Sequence, residues 1–512
     1  MANKKFSEFT LKTDSANVDF VVGYDGTDNV RIAPSNLGGG GASDLNGLSD
    51  CLVTAQFSQF IGNVPGSVTS GSAYNNTSLG HDTFENLTGG GNNTMLGFEA
   101  GYALTTNNDN TVIGSQALRS SNPAKVVAVG RFAGNASSGN NTVLVGYQAG
   151  RVNTNSGHVS VGYQAGYSQT SGLSNTNLGY QAGMDNTTGT ARTCLGHSAG
   201  KDNTGGYNTF VGQNAGKFPG TGQMNVAIGS GTLAFGAYGN FNIAIGHQTA
   251  QQTTASNNTI IGYQAGQYNS SGGNNTFIGF ESGRNVTTGT QNTFLGYLAG
   301  NVCATGNNNT LIGNQAGVAT TGAENTLIGT FAGRALTSGT TNAMLGVGYN
   351  GGGVQTGSNN TLLGNAATAS STSVSNEITL GNSSVTALRC QVTSITSLSD
   401  ERDKTNINDL SYGLAFVNSL QPREFVWDNR AETRTEVDED GNETEVEFYS
   451  SNKGKKDFGF IAQELQTLDN DTLRLVYDEN PEKLELSYGK LVPVLVKAIQ
   501  DLSAKVTALE NA

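Results

Sequence analysis

The sequence predicts a mainly β protein: a long parallel β-solenoid of short coils, followed by a small α+β domain that ends in a coiled-coil helix. Three observations carry this prediction. A five-residue motif recurs at intervals of 16 to 18 residues, so that each coil has about 17 residues. Glycine is abundant, at 71 of 512 residues, and charged residues are sparse, at 13%. After Gly381 the repeat ends and a charged segment follows.

The recurring motif is Asn-Thr-x-(Leu/Ile/Val)-Gly, and its spacing is steady from residue 80 to residue 381. A fixed period of this length is typical of a solenoid in which each repeat forms one coil and contacts only its neighbours. The glycines that end the motif are Gly80, Gly97, Gly114, Gly130, Gly146, Gly162, Gly179, Gly196, Gly212, Gly229, Gly246, Gly262, Gly279, Gly296, Gly313, Gly329, Gly346, Gly364 and Gly381.

The two residues before the glycine are both apolar in many coils, as in Val112-Ile113 and Leu311-Ile312. Neighbouring residues of a strand point to opposite faces, so such a strand is apolar on both sides. One face fills the core of its own coil. The other face needs a second layer, and the simplest supplier is an identical chain about a threefold axis. The pattern therefore predicts a homotrimer.

Asparagine stands four residues before the glycine in 14 of the 19 coils. Identical stacked amides can form a hydrogen-bonded ladder, and asparagine tolerates the left-handed backbone of a corner. Alanine and a second glycine often follow the first glycine, as in Ala149-Gly150, and this pair suits a crowded corner. The asparagines include Asn76, Asn93, Asn110, Asn208, Asn275, Asn309 and Asn360.

Over residues 62–381 the pattern Asn-Thr-x-Ile-Gly-x-x-Ala-Gly resembles the head repeats of trimeric autotransporter adhesins. The resemblance implies left-handed parallel β-rolls assembled as trimers. A bacterial adhesin would also need an export signal and a membrane-anchoring C-terminus. The first residues, Met1 to Phe6, lack the apolar stretch of a signal peptide, so we expect neither export nor membrane insertion.

The net charge of −13 is unevenly distributed. Residues 62–381 hold nine acidic and nine basic side chains, whereas residues 398–512 hold 24 acidic and 13 basic ones. This acidic balance argues against a nucleic-acid partner. The four cysteines are too far apart for a metal motif or a disulfide framework, and we expect no metal and no cofactor. They are Cys51, Cys194, Cys303 and Cys390.

A second set of motifs follows the repeats. It comprises Ser-Asp-Glu-Arg-Asp-Lys at residues 399–404, Leu-Gln-Pro-Arg-Glu-Phe-Val-Trp at 420–427 and Gly-Phe-Ile-Ala-Gln-Glu at 459–464. The acidic stretch from Glu432 to Glu447 is interpreted as an inserted loop. Five apolar residues then recur at alternating spacings of four and three, which predicts the seam of a short coiled coil. They are Leu495, Ile499, Leu502, Val506 and Leu509.

In this order the motifs resemble the endosialidase-type intramolecular chaperone found at the C-termini of phage tail spikes and fibres, over residues 397–512. The resemblance implies self-cleavage between Leu398 and Ser399 by a Ser–Lys dyad, with Ser399 as nucleophile, Lys404 as base and Asp400 in a supporting role. A serine becomes nucleophilic when a neighbour takes its proton, and a lysine can do so when burial lowers its pKa. It also implies that the domain holds three chains in register while the solenoid winds.

These motifs divide the chain into five predicted segments. They are residues 1–41, an N-terminal virion-attachment region with a glycine-rich hinge; 42–61, a cap or linker; 62–381, the solenoid; 382–398, a linker to the cleavage site; and 399–512, the chaperone with its terminal coiled coil.

Within the N-terminal region we expect short strands at Phe6–Lys12, Val18–Val22 and Val30–Ile32, and a flexible joint at Gly38–Gly41. The functional interpretation is a module that docks on the virion tail or baseplate. The alternative is an ordinary cap, which every solenoid needs at its ends.

The resemblances together imply a trimeric bacteriophage tail fibre or spike, assembled in the cytoplasm of the host bacterium and located in the virion. Such a protein recognises a polysaccharide or protein on the bacterial surface. Aromatic residues directly after the glycine are candidate receptor contacts, since aromatic faces can stack on sugars. A structural side-chain ladder and the variable loops are the alternatives. The candidates are Tyr147, Tyr163, Tyr180, Tyr263, Phe280 and Tyr297.

An enzymatic alternative is a spike that depolymerises a surface polysaccharide. A glycosidase needs two carboxylates at a defined separation. The repeats hold few acids: Glu99 and Glu281 occupy equivalent positions in distant coils, and a pair formed between chains stays open. A trimeric bacterial adhesin is the third hypothesis, opposed by the expected absence of export signals.

Overall fold

The chain divides into two compact units, Met1–Gly273 and Asn274–Ala512. The structure, a computed structural model, describes residues 20–24, 29–32, 51–53, 58–61, 73–346, 348, 354–385, 387–389, 399–428, 430–437, 443–449, 452–469, 472–478, 482 and 484–512.

The first unit consists of short strands joined by turns. They are Phe20–Tyr24, Asn29–Ile32, Cys51–Val53, Gln59–Ile61, Ala73–Tyr74, Thr77–Leu79, Gly90–Gly91, Thr94–Leu96, Thr111–Ile113, Val126–Val129, Thr142–Val145, Val159–Val161, Thr176–Leu178, Thr193–Leu195, Thr209–Val211, Val226–Ile228, Ile243–Ile245 and Thr259–Ile261.

The strands of successive coils pair in parallel and in register, so that equivalent motif positions face each other. Thr176 pairs with Thr193 and Leu178 with Leu195. At the start of the stack, Cys51–Val53 pairs antiparallel with Gln59–Ile61, which in turn pairs in parallel with Thr77–Leu79. One repeat is therefore one coil, and the predicted parallel β-solenoid is confirmed.

The core of each coil is filled from the central position of its strand, two residues before the glycine. Phe210 is completely buried there, whereas Thr209 and Val211 beside it are partly exposed. The residue directly before the glycine points outward, and Leu178 stays 45% exposed in the single chain. The strands are thus apolar on both faces as predicted, and among the described residues only one of these faces is covered.

The asparagine ladder predicted from the sequence is present and buried. The Asn76 Oδ1 atom accepts hydrogen bonds from the backbone N–H and the side-chain amide of Asn93, each at 3.0 Å. Asn93 binds Asn110 in the same way. In the second unit Asn309 accepts the same two bonds from Asn325. Each amide therefore satisfies a backbone donor of the next coil, which a buried corner requires.

The glycine that ends each strand is required by its backbone and by its neighbour. At Gly146 φ is +137°, and a Cβ atom would lie 2.3 Å from the carbonyl oxygen of Gly162 in the next coil. An L-residue disfavours this φ, and the stacked backbone leaves no room for a side chain.

The second unit contains further coils and the C-terminal domain. Its coil strands are Thr276–Ile278, Thr293–Leu295, Thr310–Ile312, Thr326–Ile328, Ala343–Leu345, Thr361–Leu363 and Ile378–Leu380. The domain comprises 3₁₀ turns at Glu401–Asp403 and Tyr488–Lys490, helices at Leu414–Ser419, Ala462–Leu468 and Leu491–Glu510, and strands at Arg423–Val426, Glu432–Val437, Glu443–Phe448, Lys456–Gly459, Val476–Tyr477 and Glu485–Leu486.

The small core of the C-terminal domain gathers around Leu465, Leu475 and Leu491, with Phe416 and Phe460 packed against it. Helix Leu491–Glu510 buries one face in the domain and leaves the predicted coiled-coil seam exposed. The exposed fractions of this seam are 44% for Leu495, 66% for Ile499, 50% for Leu502, 44% for Val506 and 77% for Leu509.

Several predicted local features have a definite outcome. The acidic segment interpreted as an inserted loop is a β-hairpin, in which Glu432–Val437 pairs antiparallel with Glu443–Phe448. The strand predicted at Val18–Val22 runs from Phe20 to Tyr24 and pairs antiparallel with Asn29–Ile32. Two predicted features, the strand at Phe6–Lys12 and the joint at Gly38–Gly41, lie outside the described residues.

Candidate functional site

Ser399 and Lys404 lie together at the start of the C-terminal domain. The Lys404 ammonium donates hydrogen bonds to the Ser399 Oγ atom, at 2.5 Å, and to the Ser399 carbonyl oxygen, at 3.2 Å. The 3₁₀ turn Glu401–Asp403 between them folds the chain back on itself. A side-chain contact between a serine hydroxyl and a lysine amine is the geometry in which the amine can take the hydroxyl proton.

Asp400 holds this turn closed. Its carboxylate caps the turn by accepting from the backbone N–H of Arg402, at 2.9 Å, and it pairs with the Arg402 guanidinium at 2.6 Å. Hydrogen bonding to Arg402 lowers the pKa of the Asp400 carboxyl. In the single chain Asp400 therefore contacts Arg402 and closes the turn that leads to Lys404.

Both members of the dyad are exposed in the single chain, and Leu398 lies outside the described residues. Lysine becomes a general base once its charged form is destabilised, which burial accomplishes and open solvent does not. The geometry brings the two side chains together in a turn that is exposed in the single chain.

Three of the candidate receptor contacts form a continuous stack with a histidine. The rings of Tyr147 and Tyr163 have centroids 5.3 Å apart and an interplanar angle of 13°. Tyr163 and Tyr180 are 5.0 Å apart at 7°, and Tyr180 and His197 are 4.9 Å apart at 11°. The ring faces inside the stack cover one another, so a sugar would meet ring edges there. This arrangement is the structural side-chain ladder that the sequence allowed as an alternative to receptor contacts.

The remaining candidates stack in pairs. Tyr263 lies on His247 with centroids 5.5 Å apart. In the second unit Phe280 lies on Tyr297 at 5.3 Å. Tyr263, Phe280 and Tyr297 are each more than 40% exposed, so their outer edges form part of the surface of the coils.

A glutamine ladder runs beside the tyrosine stack, one residue further along each coil. The side-chain amide of Gln164 donates to Gln148, and that of Gln181 donates to Gln164, both at 2.9 Å. The repeated Tyr-Gln-Ala-Gly sequence was the signal for this second ladder. Together the two ladders stiffen one edge of the coils.

The two carboxylates considered for glycoside hydrolysis are each bound to cations or amides. Glu99 accepts from Arg119 and Gln116, both at 2.6 Å, and hydrogen bonding to Arg119 lowers its pKa. Glu281 lies 3.4 Å from the Arg284 guanidinium. The contacts of Glu99 join it to the next coil, whereas Arg284 belongs to the same coil as Glu281.

Sequence reasoning missed one pair of acids. Asp185 and Asp202 stand six residues after the glycine in successive coils. Burial raises the pKa of the Asp185 carboxyl, and its hydrogen bond with Asp202 raises it further. Lys201 lies 3.7 Å from Asp202, and its positive charge partly offsets the rise in the Asp185 pKa. The equal repeat position was visible in the sequence, but the partial burial was not.

Of the five coils that lack the ladder asparagine, two place a buried basic side chain there. Arg192 occupies a ladder position, is buried, and donates to the carbonyl oxygens of Asn203, at 2.6 Å, and Gly200, at 2.8 Å. His158 occupies another and is also buried. Burial lowers the pKa of the His158 imidazole. Both departures from asparagine are readable in the sequence.

Cys194 and Cys303 are buried as free thiols, and burial raises the pKa of both. Cys390 lies outside the described residues. Among the described residues, no group of three or more His, Cys, Asp or Glu side chains is placed to hold a metal ion. Within the same part of the chain, no helix combines the length and apolar composition needed to cross a membrane.

Comparison with known proteins identifies one segment. Residues 399–473 match the family model described as chaperone of endosialidase. The matched segment begins at Ser399 and includes the whole Ser399–Lys404 turn. No curated protein and no solved structure matches the chain.

Proposed function

We propose that the chain is a trimeric bacteriophage tail spike or tail fibre protein, whose C-terminal domain assembles the trimer and then releases itself by cleavage between Leu398 and Ser399. The observation that carries the proposal is the contact between the Ser399 hydroxyl and the Lys404 amine, at the first residue of the segment that matches the endosialidase chaperone family. A β-solenoid followed by such a domain is the organisation of a tail-spike-like protein.

The cleavage reaction uses only groups of the chain and one water molecule. Neutral Lys404 takes the proton of Ser399 Oγ, which attacks the carbonyl carbon of Leu398. The bond from that carbon to the Ser399 nitrogen breaks, and the nitrogen takes up the proton as it leaves. Water then hydrolyses the resulting ester, which leaves a carboxylate on Leu398 and restores the Ser399 hydroxyl.

Assembly supplies the cover that the dyad lacks in the single chain. In the trimer the apolar seam of helix Leu491–Glu510 packs against two copies of itself, and the neighbouring domains bury the Ser399–Lys404 turn. Burial then favours the neutral amine. Cleavage is in this way confined to chains that have already assembled.

Release of the domain makes assembly hard to reverse. Parallel strand pairing between distant parts of a chain, or between chains, is slow and exposes strand edges. A trimeric domain that holds three chains in register lowers this barrier. Once the domain has left, an unfolded solenoid no longer has its template, so the fibre is kinetically stable.

The remaining parts of the proposal concern the fibre in its virion. Residues 1–41 attach it to the tail or baseplate, and the coils meet a polysaccharide or protein on the bacterial surface. The variable loops, or the edges of the stacked aromatic rings, supply those contacts. The depolymerase alternative is not favoured, because Glu99 and Glu281 are each engaged by an arginine.

The proposal is tested by the intact masses of the purified wild type and of Ser399→Ala, Lys404→Ala and Thr405→Ala. We expect the wild type and the Thr405→Ala control to yield a product that ends at Leu398 and a fragment that begins at Ser399. Both dyad variants should remain whole. Cleavage in either dyad variant, or an uncleaved wild type, contradicts the proposed chemistry.

A further inference from the structure

Three successive coils carry an unusual residue at the corner that precedes the strand, five residues before the glycine. Tyr207, Met224 and Phe241 stand there, exposed by 56%, 49% and 55%. Their φ angles are +59°, +57° and +59°. Bulky side chains disfavour this left-handed region, in which most other coils place asparagine, a small residue or another polar residue. These side chains gain little from their own coil, since they are not buried in it.

The three residues lie at the edge of the outward strand face. Burial alternates from Phe241 through Asn242, Ile243 and Ala244, so that Phe241 and Ile243 share the outer side. The aromatic ladder lies at the opposite edge of this face, directly after the glycine. The outward face therefore has two edges: a leading edge five residues before the glycine and a trailing edge one residue after it.

Tyrosine, phenylalanine and methionine occupy one edge or the other in a given coil. Coils with tyrosine or phenylalanine at the trailing edge have asparagine, glutamine, serine or glycine at the leading edge, as in Gly157 with Tyr163 and Ser174 with Tyr180. The three coils with a large leading edge have Gln213, Ser230 and His247 at the trailing edge. No coil of the chain carries tyrosine, phenylalanine or methionine at both positions.

We propose that the two edges meet between copies of this chain, so that the leading edge of one copy packs against the trailing edge of the next around the threefold axis. This inference rests on the proposed trimer and assigns its interface. The contact around a threefold axis is heterologous, so the leading edge of one copy meets the trailing edge of the next. Each large leading-edge residue then packs on the trailing-edge residue of the same coil in the next copy: Tyr207 on Gln213, Met224 on Ser230 and Phe241 on His247.

Charge and size of the face fit a copy of itself. From Tyr207 to Tyr263 its outward positions carry no lysine, arginine, aspartate or glutamate, and in the preceding coils the charged residues at its edges are Asp109, Lys125 and Arg131. From Thr77–Leu79 to Thr259–Ile261 the face is about 50 Å long at 4.8 Å per coil, and at about 15 Å wide it offers roughly 800 Å², the area that a stable interface takes from each partner. The stacked tyrosines would then lie between chains, and the variable loops would be left for a receptor.

Disulfide trapping tests this interface in the full chain with Cys51 and Cys390 replaced by serine. Met224 and Ser230 are the two edges of one coil, and the extended strand between them prevents an intrachain bond, which needs Cα atoms within about 7 Å. We expect Met224→Cys with Ser230→Cys to move most of the oxidised protein to a covalent trimer on a non-reducing denaturing gel. Each single variant should stay monomeric on the gel.

Two further variants keep the test decisive. The pair Ala191→Cys with His197→Cys probes the same two edges in another coil, in case the first pair does not fold. The pair Met224→Cys with Gln252→Cys, which uses an exposed loop residue, should give no covalent trimer. Light scattering on the same samples separates the failures: a trimer without edge crosslinks overturns the interface alone, and a monomer overturns the proposed trimer with it.

Discussion

The Nδ1 atom of His158 accepts a hydrogen bond from the backbone N–H of Asn175 at 3.2 Å. His158 thus does for the next coil what an asparagine Oδ1 does elsewhere in the ladder. A neutral imidazole can accept this bond, whereas an imidazolium has only donors. One coil corner therefore depends on the neutral form of a titratable side chain.

We expect this histidine to make the first unit sensitive to acid. Burial holds the folded-state pKa below the usual value of 6.5, so the fold favours the neutral form. Its contribution to stability is complete above pH 6.5 and is lost as the pH falls from there toward the lowered folded-state pKa. His158→Asn, which restores the ladder amide, should reduce the loss of thermal stability between about pH 7.5 and pH 5. If the pH dependence of thermal stability is the same in His158→Asn and in the wild type, His158 is not the cause of the acid sensitivity.

The asparagine ladder itself should be energetically important. Asn225 accepts the backbone N–H of Asn242 at 2.8 Å and donates its side-chain amide to Asn208 and Gln223. Asn225→Ala removes the acceptor of the buried Asn242 N–H, whereas Asn208 Oδ1 keeps its bond from the backbone N–H of residue 225, and the variant should lower the unfolding free energy by about 1–3 kcal/mol. The exposed Gln252→Ala serves as control. Equal urea midpoints for the two variants would mean that water satisfies the ladder.

The corner glycines should tolerate no side chain. Gly146→Ala would place a Cβ atom 2.3 Å from the Gly162 carbonyl oxygen at φ +137°, so both the coil stack and the backbone angle oppose it. Gly236 has ordinary backbone angles and no atom closer than 3.5 Å to its Cβ position. Circular dichroism and melting temperature should show a large loss for Gly146→Ala and almost none for Gly236→Ala. A comparable loss in both would point to glycine entropy and not to the corner.

The Asp185–Asp202 pair should cost stability at neutral pH. The folded state raises the pKa of Asp185, so its stabilising contribution is present below the unfolded value of 3.8 and is lost as the pH rises through the folded pKa. Asp185→Asn should therefore raise the melting temperature at pH 7 and lose this advantage in acid. As a control, Glu324→Gln removes one negative charge from an exposed side chain in another coil. An equal rise in its melting temperature at pH 7 would assign the effect to net charge.

The sequence was sufficient for features that repeat. The period gave the coils, the Asn-Thr-x-Ile-Gly pattern placed the buried ladder, and the 4–3 spacing from Leu495 to Leu509 located an exposed seam. The Ser399–Lys404 contact also followed, since both residues belong to one local motif.

Features that depend on packing between coils could not be predicted in this way. The partners of Glu99 lie 17 and 20 residues away in the next coil, and the carbonyl contacts of Arg192 lie 8 and 11 residues away across its own coil. The partial burial of Asp185 likewise depends on how the coils pack. Asp400 contacts Arg402, because a capping bond two residues away is available to it. By contrast, the hairpin Glu432–Val437 with Glu443–Phe448 has a signal in the sequence, because Thr444, Val446 and Phe448 alternate with glutamates and Asp440-Gly441 lies between the two strands. The acidic composition alone favoured a loop.

Native mass spectrometry of the wild type beside Ser399→Ala tests the central claim most directly, because it reports assembly and release together. We predict a trimer of uncleaved chains for Ser399→Ala and a trimer of chains that end at Leu398 for the wild type, with the small domain released. A monomer in either sample, or a wild-type trimer that keeps its C-terminal domain, would contradict the account of a self-releasing assembly domain.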